Sequence, residues 1–293
     1  MKKLKTLVAD IYKTIEPLGR RENINITDEQ IEDFGEAMKN ALKEWAFYQG
    51  SDKPTLRMSN IGKPSRQLWY EMNTKNKDVS FSAPILIKFL YGHLLEQLVL
   101  FFVKLSGHKV TNEQKDVKVL GISGHMDCVI DGEVIDVKST SGFSFYKFKN
   151  GTLPEKDPFG YLAQLAGYEA GMKTDNGGFL AINKETGELC LFIPEDLDKP
   201  NIKLKIKNTK ALIKKSSPPD LCYQPEPEGT SGNFKLPSNC KYCRHKFECH
   251  KDANEGKGLR VFKYARGLTY FTEVVVQPRV EEITNEWKKI KTD

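Results

Sequence analysis

The chain has 293 residues, of which 39% are hydrophobic and 29% charged. That is enough for one large or two modest domains, with no need of disulfides to make up for a small core. Its 16 Phe, 11 Tyr and 3 Trp exclude an intrinsically disordered chain. The net charge of +6 is mild, and its distribution says more than its size. Seven lysines and no acid fall between Lys199 and Lys215. That run suits either a polyanion or a solvated helix face with Ile202, Ile206 and Ile213 turned inward.

Residues 1–50 read as helical. Thr27 and Gln30 are spaced as a capping box before an amphipathic run that ends near Tyr48. Gly50, Ser51 and Pro54 mark a break, and residues 57–72 then mix basic and aromatic side chains. A long helix is expected from Pro84 to Ser106, closed by Gly107. It is apolar on nearly every side, which predicts burial. Lys88, His93, Glu96, Gln97 and Lys104 interrupt it as a membrane span. Asp10 likewise breaks the apolar run after Met1-Lys2-Lys3, so no signal peptide is read and a cytoplasmic protein is expected.

From residue 109 the period changes to that of short strands. A helix is expected from Pro158 to Met172, with Asp157 as N-cap. Phe179–Ile182 and Glu188–Ile193 read as a hairpin. Residues 216–239 carry little regular pattern. Leu259 to Val276 reads as two strands turning at Arg266-Gly267.

The segment from Gly124 to Ser139 is the most informative. Asp131-Gly132 is a two-residue hairpin turn. Closing the chain there pairs Ile130 with Glu133 and sets Asp127 opposite Asp136, with Lys138 on the same face. The other face carries Met126, Cys128, Ile130, Ile135 and Val137. Facing carboxylates repel unless something neutralises them, and a divalent cation does so. Carboxylate oxygen is the donor that Mg²⁺ or Mn²⁺ prefers. Beside it Lys138 is placed to orient or deprotonate a water, or to steady developing negative charge.

Asp136-Val137-Lys138 and the preceding Asp127 resemble the paired acidic motifs of the PD-(D/E)xK nuclease superfamily. Gln164-Leu165-Ala166-Gly167-Tyr168 resembles the Q-x-x-x-Y motif of its RecB-like exonuclease branch, which includes phage and CRISPR-associated exonucleases. Gly92-His93-Leu94-Leu95-Glu96 resembles the first motif of that branch. Glu96 stands where that motif places a ligand, often His, and His93 lies one turn before it. The resemblance implies an α/β fold: a restriction-endonuclease-like mixed sheet flanked by helices, with a helical N-terminal region and a cysteine-ligated C-terminal element. It divides the chain into residues 1–56, a nuclease core at 57–215, and 216–293.

The activity implied is metal-dependent DNA hydrolysis, exonucleolytic rather than endonucleolytic, on single strands or duplex ends. Glu96, Asp127 and Asp136 would bind Mg²⁺ or Mn²⁺, with the Val137 carbonyl and His93 as further candidates. Gln164 and Tyr168 would hold the strand or orient Lys138. Arg66, Trp69, Lys203, Lys205 and Lys207 are candidates for strand contacts. The competing class is a non-catalytic nucleic-acid-binding module with a structural zinc site.

Of six cysteines, Cys240, Cys243 and Cys249 follow a Cys-x2-Cys-x5-Cys pattern, with Cys222 upstream. In a cytosolic chain these read as thiols or metal ligands. Four thiolates suit Zn²⁺ or an iron–sulfur cluster, and His245 and His250 are alternative zinc ligands. The three-cysteine spacing after a nuclease core resembles the [4Fe–4S] element of the RecB-like branch. That family draws its fourth cysteine from the N-terminal side, where residues 61–70 hold none. Cys222 is the substitute. Cys128 and Cys190 read as core residues.

Overall fold

The computed structural model describes residues 2–47, 54–74 and 81–285. The break expected at Gly50 and Ser51, with Tyr48 before it, lies outside them. The chain forms two units: residues 1–63 with 74–211, and residues 64–73 with 212–293. This differs from the division expected at 56/57 and 215/216: residues 1–56 fall in one unit with the core, residues 64–73 go to the second unit, and the later boundary lies at 211/212.

In chain order the first helices are α1 (Leu7–Gly19), α2 (Asp28–Ala46), α3 (Ser65–Asn73, part of the second unit) and α4 (Ala83–Leu105). The capping box of α2 is present in full. Gln30 N–H donates to the Thr27 hydroxyl at 3.2 Å, and Thr27 N–H donates to the Gln30 side chain at 3.0 Å. α4 stops two residues before Gly107, whose φ of +78° favours glycine.

The strands follow: β1 (Val110–Thr111), β2 (Lys115–Val119), β3 (Ile122–Met126), β4 (Cys128–Ile130) and β5 (Glu133–Thr140). After α5 (Gly142–Lys149) and α6 (Tyr161–Met172) come β6 (Gly178–Asn183), β7 (Leu189–Phe192) and α7 (Ile202–Leu212). Five strands make one mixed sheet in the order β1-β4-β5-β6-β7. β5 and β6 run parallel, joined by the crossover through α5 and α6, and the other neighbours are antiparallel. Side-chain alternation along the strands gives the sheet two apolar faces. On one, Cys128, Ile130, Ile135, Val137 and Leu180 meet Leu7 and Ile11 of α1 and Val99, Leu100 and Val103 of α4. On the other, Val129, Val134 and Phe179 meet Phe145 and Phe148 of α5 and Leu165 of α6. The first unit is therefore an α/β layer structure with helices on both faces of a mixed sheet.

Three expectations are corrected here. First, α4 is buried only at Val99, Leu100 and Val103, while Ile85, Leu86, Ile87, Phe89 and Tyr91 are 39–52% exposed. A 23-residue helix is about 35 Å long and an eight-residue strand about 27 Å, so α4 outruns the sheet. By length and composition alone this helix could cross a membrane, despite its charged residues. Its C-terminal half, however, covers the sheet as a core helix does.

Second, Met126 does not join Cys128 on one face. The chain leaves its pairing with β2 at Met126 and joins β5 from Cys128, so Asp127 sits at a break between two ladders. Met126 therefore packs with the α6 cluster. Third, α6 starts at Tyr161 rather than Pro158. Gly160 takes a φ of +76°, and the Asp157 carboxylate accepts from the Gly160 and Leu162 N–H groups, both at 2.9 Å. Asp157 still caps the helix, but from further upstream.

The β3 ribbon lies close to α6. A Cβ placed on Gly124 would stand 2.6 Å from Met58 Cβ and 3.0 Å from a Tyr168 ring carbon. Gly124→Ala is expected to destabilise the protein by about 1–3 kcal/mol through overpacking. Denaturant unfolding measures this, and an unchanged midpoint would contradict the packing.

In the lysine run, Ile202 and Ile206 of α7 are buried as expected for a helix face. Lys199 is nearly buried, paired with Glu169 at 2.9 Å and Asp196 at 3.1 Å. Lys210 donates to the Leu120 carbonyl at 2.6 Å. These two lysines are structural, whereas Lys203 and Lys207 are exposed and Lys205 is half-buried.

The second unit adds β8 (Glu226–Pro227), β9 (Phe234–Lys235), α8 (Ser238–Lys241), α9 (Lys246–Cys249), β10 (Arg260–Tyr264) and β11 (Gly267–Glu273). β10 and β11 form the expected hairpin, with Gly267 at φ +115°. The four strands pair antiparallel in the order β10-β11-β9-β8 over Leu236, Leu259, Val261 and Tyr270.

Candidate functional site

The hairpin closes at Asp131-Gly132, both with positive φ, and pairs Ile130 with Glu133 through Cys128 with Ile135. This register brings Asp127 and Asp136 together as expected. Asp127 Oδ2 accepts the Val137 N–H at 2.7 Å, so the carboxylate bridges the end of β4 to the middle of β5. Asp136 is 1% exposed. Its Oδ2 meets the Lys138 ammonium, and its Oδ1 is buried with no hydrogen-bond partner among the described residues. α4 brings in Glu96, whose Oε1 accepts from the Gln114 side-chain amide at 2.7 Å.

Three carboxylates thus share one site with one ammonium. Burial pushes the Glu96 carboxyl up to about 8, and the Asp127 and Asp136 charges add to this. Burial and Asp136 push Asp127 up to about 7, against the Val137 N–H and Lys138. Burial opposes the charge on Lys138, but Asp136 and Asp127 outweigh it and hold the ammonium well above its ordinary value. Lys138 is therefore held as a cation by the neighbouring carboxylates. Its Nζ lies 5.1 Å from the centre of the Tyr161 ring, a cation–π contact.

Gln164 and Tyr168 share one face of α6. Gln164 donates to the Tyr168 hydroxyl at 3.1 Å, and that hydroxyl donates to the His125 carbonyl at 2.7 Å. Tyr168 is 2% exposed and belongs to the core, with its hydroxyl pushed up to about 12 by burial. The pair braces the chain two residues before Asp127. Tyr168→Phe is expected to cost about 1 kcal/mol, because the His125 carbonyl loses its donor. A thermal melt set beside turnover per folded molecule checks this; equal stability would show that the hydrogen bond contributes nothing. His93 is exposed on α4. Gln114 and Tyr161 carry no motif, and only the fold brings them to Glu96 and Lys138.

Among the described residues, no group of three or more His, Cys, Asp or Glu side chains stands in a metal-holding arrangement. The Lys138 ammonium stands at Asp136 as the cation of the acid cluster. The donor set still fits a divalent cation. It offers carboxylate oxygens only, one of them orphaned, and two carboxyls are driven towards neutrality for want of positive charge.

In the second unit, Cys222, Cys240, Cys243 and Cys249 line one open pocket of about 430 Å³ together with His245 and His250. Burial and the neighbouring cysteines push the Cys240 thiol up to about 12, and burial also raises Cys243 and Cys249. A bound metal ion reverses that tendency by its own charge, and four sulfur donors suit zinc or iron. Arg66 of α3 is engaged at this pocket. Its Nε donates to Cys249 Sγ at 3.0 Å and its Nη2 to the Cys249 carbonyl at 3.3 Å. Trp69 donates its indole N–H to the Lys215 carbonyl at 2.9 Å. Cys128 is buried in β4 and Cys190 half-buried in β7.

No protein-family model and no curated protein matches the chain. Among solved structures it is similar to SSO0001, at 16% identity and a TM-score of 0.40 over 72% of this chain and 92% of that one. It is also similar to an alkaline exonuclease from Laribacter hongkongensis, at 14% identity and a TM-score of 0.41 over 58% and 92% of the two chains. A structure of that exonuclease with dAMP shows 13% identity and a TM-score of 0.37 over 55% and 90%.

Proposed function

We propose that this protein is a divalent-metal-dependent DNA nuclease of the PD-(D/E)xK type, RecB-like branch, acting in the cytoplasm on strand ends. The observation that carries this is the gathering of Glu96, Asp127 and Asp136 around Lys138, with Asp136 Oδ1 buried and unsatisfied. Three acids around one ammonium leave an excess of negative charge that a bound divalent cation would neutralise. A Mg²⁺ or Mn²⁺ ion there would supply the Lewis acidity and charge for phosphodiester hydrolysis. Glu96, Asp127 and Asp136 would hold it, with the Val137 carbonyl as a further donor. Lys138, kept cationic and steadied by Tyr161, donates hydrogen bonds and stabilises negative charge on the phosphate. Gln164 and Tyr168 fix the His125 carbonyl and with it the approach to Asp127. Lys203, Lys205 and Lys207 would add charge along α7 for the DNA backbone.

In this reading Cys222, Cys240, Cys243 and Cys249 hold a structural [4Fe–4S] cluster, with zinc as the alternative. Thiolate ligation would tie Cys222, ahead of β8, to Cys240, Cys243 and Cys249 beyond β9, and so add to the strand pairing that organises the stretch from Pro218 to Pro237. Anaerobically purified protein is then brown, whereas a colourless zinc protein overturns the choice of metal.

The deciding experiment is digestion of end-labelled single- and double-stranded DNA with Mg²⁺, with Mn²⁺ and with EDTA. Cleavage that requires the cation and releases nucleotides from ends supports the proposal. Cation-independent DNA binding without cleavage would support the binding module instead.

A further inference from the structure

Cys240 to Cys243 form a tight turn, closed by the Cys243 N–H donating to the Cys240 carbonyl at 3.1 Å. Tyr242 takes φ −95° and ψ −2°, the third position of a type I turn. Cys240 and Cys243 at the base of the turn face the cysteine pocket. Lys241 and Tyr242 are left at the tip. The Tyr242 side chain is 93% exposed. A tyrosine normally buries its ring and leaves only the hydroxyl wet. Here the whole ring stands in water on a short turn whose two ends are anchored.

The surroundings are basic. From residue 241 to 251 the chain carries Lys241, Arg244, Lys246 and Lys251 against one acid, Glu248. Lys246 lies over the Tyr270 ring at 4.8 Å, and Lys241 shares the tip of the turn with Tyr242. An exposed aromatic ring between cations matches a ligand with flat faces and a charged backbone. Single-stranded nucleic acid has both, and its bases are unstacked and available.

We infer that Tyr242 is a base-stacking platform for single-stranded nucleic acid, with Lys241 on the adjoining phosphate. This rests on the nuclease proposal for the biological role of the contact, and it assigns strand holding to the second unit. The turn fixes the backbone that carries the ring, so the ordering left to the strand is that of one side chain with two rotatable bonds.

The test is fluorescence anisotropy of the full chain with a labelled single-stranded oligonucleotide, without divalent cation so that no cleavage intervenes. An abasic oligonucleotide of equal length serves as the second probe. Tyr242→Ala is expected to weaken binding to the base-bearing strand about tenfold. Tyr242→Phe keeps wild-type affinity, because the ring stacks without its hydroxyl. The abasic strand binds weakly, and equally, to wild type and Tyr242→Ala. Lys241→Gln lowers the salt dependence by about one phosphate contact. The side chain is exposed, so thermal melts of the Tyr242 variants match wild type.

Unchanged affinity of Tyr242→Ala overturns the inference. So does an equal loss on the abasic strand, which would indicate a disturbed turn. Cation-dependent cleavage by the wild type, assayed separately, distinguishes the two levels. If cleavage is present and Tyr242→Ala binds normally, only this platform fails. If the wild type neither cleaves nor binds, the nuclease proposal fails with it.

Discussion

Asp136→Asn is expected to reduce metal-supported DNA cleavage by about a thousandfold while the protein stays folded. That factor corresponds to the several kcal/mol a metal's charge contributes at a phosphoryl centre. The variant keeps the shape of the side chain but loses the ligand charge at the most buried position of the cluster, 1% exposed. It also relieves repulsion on Glu96 and Asp127, so both carboxyls titrate lower than in the wild type without cation. Lys138→Ala removes cleavage too, yet moves the carboxyls the opposite way, because the cation that lowers both is gone. Turnover and carboxyl titrations on the two variants separate a charge cluster from a packing defect. Near wild-type cleavage by folded Asp136→Asn would sink the assignment.

Stability without divalent cation is expected to fall as pH rises from about 4 to about 8. The sign follows from carboxyls whose folded-state values lie above the ordinary range, at about 8 for Glu96 and about 7 for Asp127. In that window the native protein holds protons that the unfolded chain has released. Raising the pH therefore favours unfolding, until both groups are ionised in either state. A cation on the same carboxylates removes the need for those protons. Mg²⁺ or Mn²⁺ should thus raise the melting temperature more at about pH 8 than at about pH 6, and binding should release protons. Melting curves at both pH values, with and without cation, measure the first effect. Calorimetry in buffers of different ionisation enthalpy measures the second. A cation effect independent of pH would show that Glu96 and Asp127 are not the ligands.

The elements that could be read in advance are those set by local chemistry. The α2 capping box needs only Thr27 and Gln30 three residues apart. The β4–β5 register follows from Asp131-Gly132, because a two-residue turn dictates the pairs out to Cys128 with Ile135 and leaves Asp127 beside Asp136 at the end of that ladder. The spacing of Gln164 and Tyr168 likewise puts them on one helix face. What local chemistry leaves open is where each face points. Nothing in α4 says that its N-terminal half runs past the sheet, since that depends on strand lengths elsewhere in the chain. The switch of Met126 to another core arises because two strands of one run pair with different partners. Gln114 at Glu96 and Tyr161 at Lys138 come from segments with no motif, joined only by folding. Arg66 has the sequence look of a phosphate contact, but its guanidinium is engaged by Cys249, more than 180 residues on. Hydrogen bonds and ion pairs at such separations depend on the packed chain, because a side chain's partners are chosen by proximity in space and its neighbours in sequence carry no record of them.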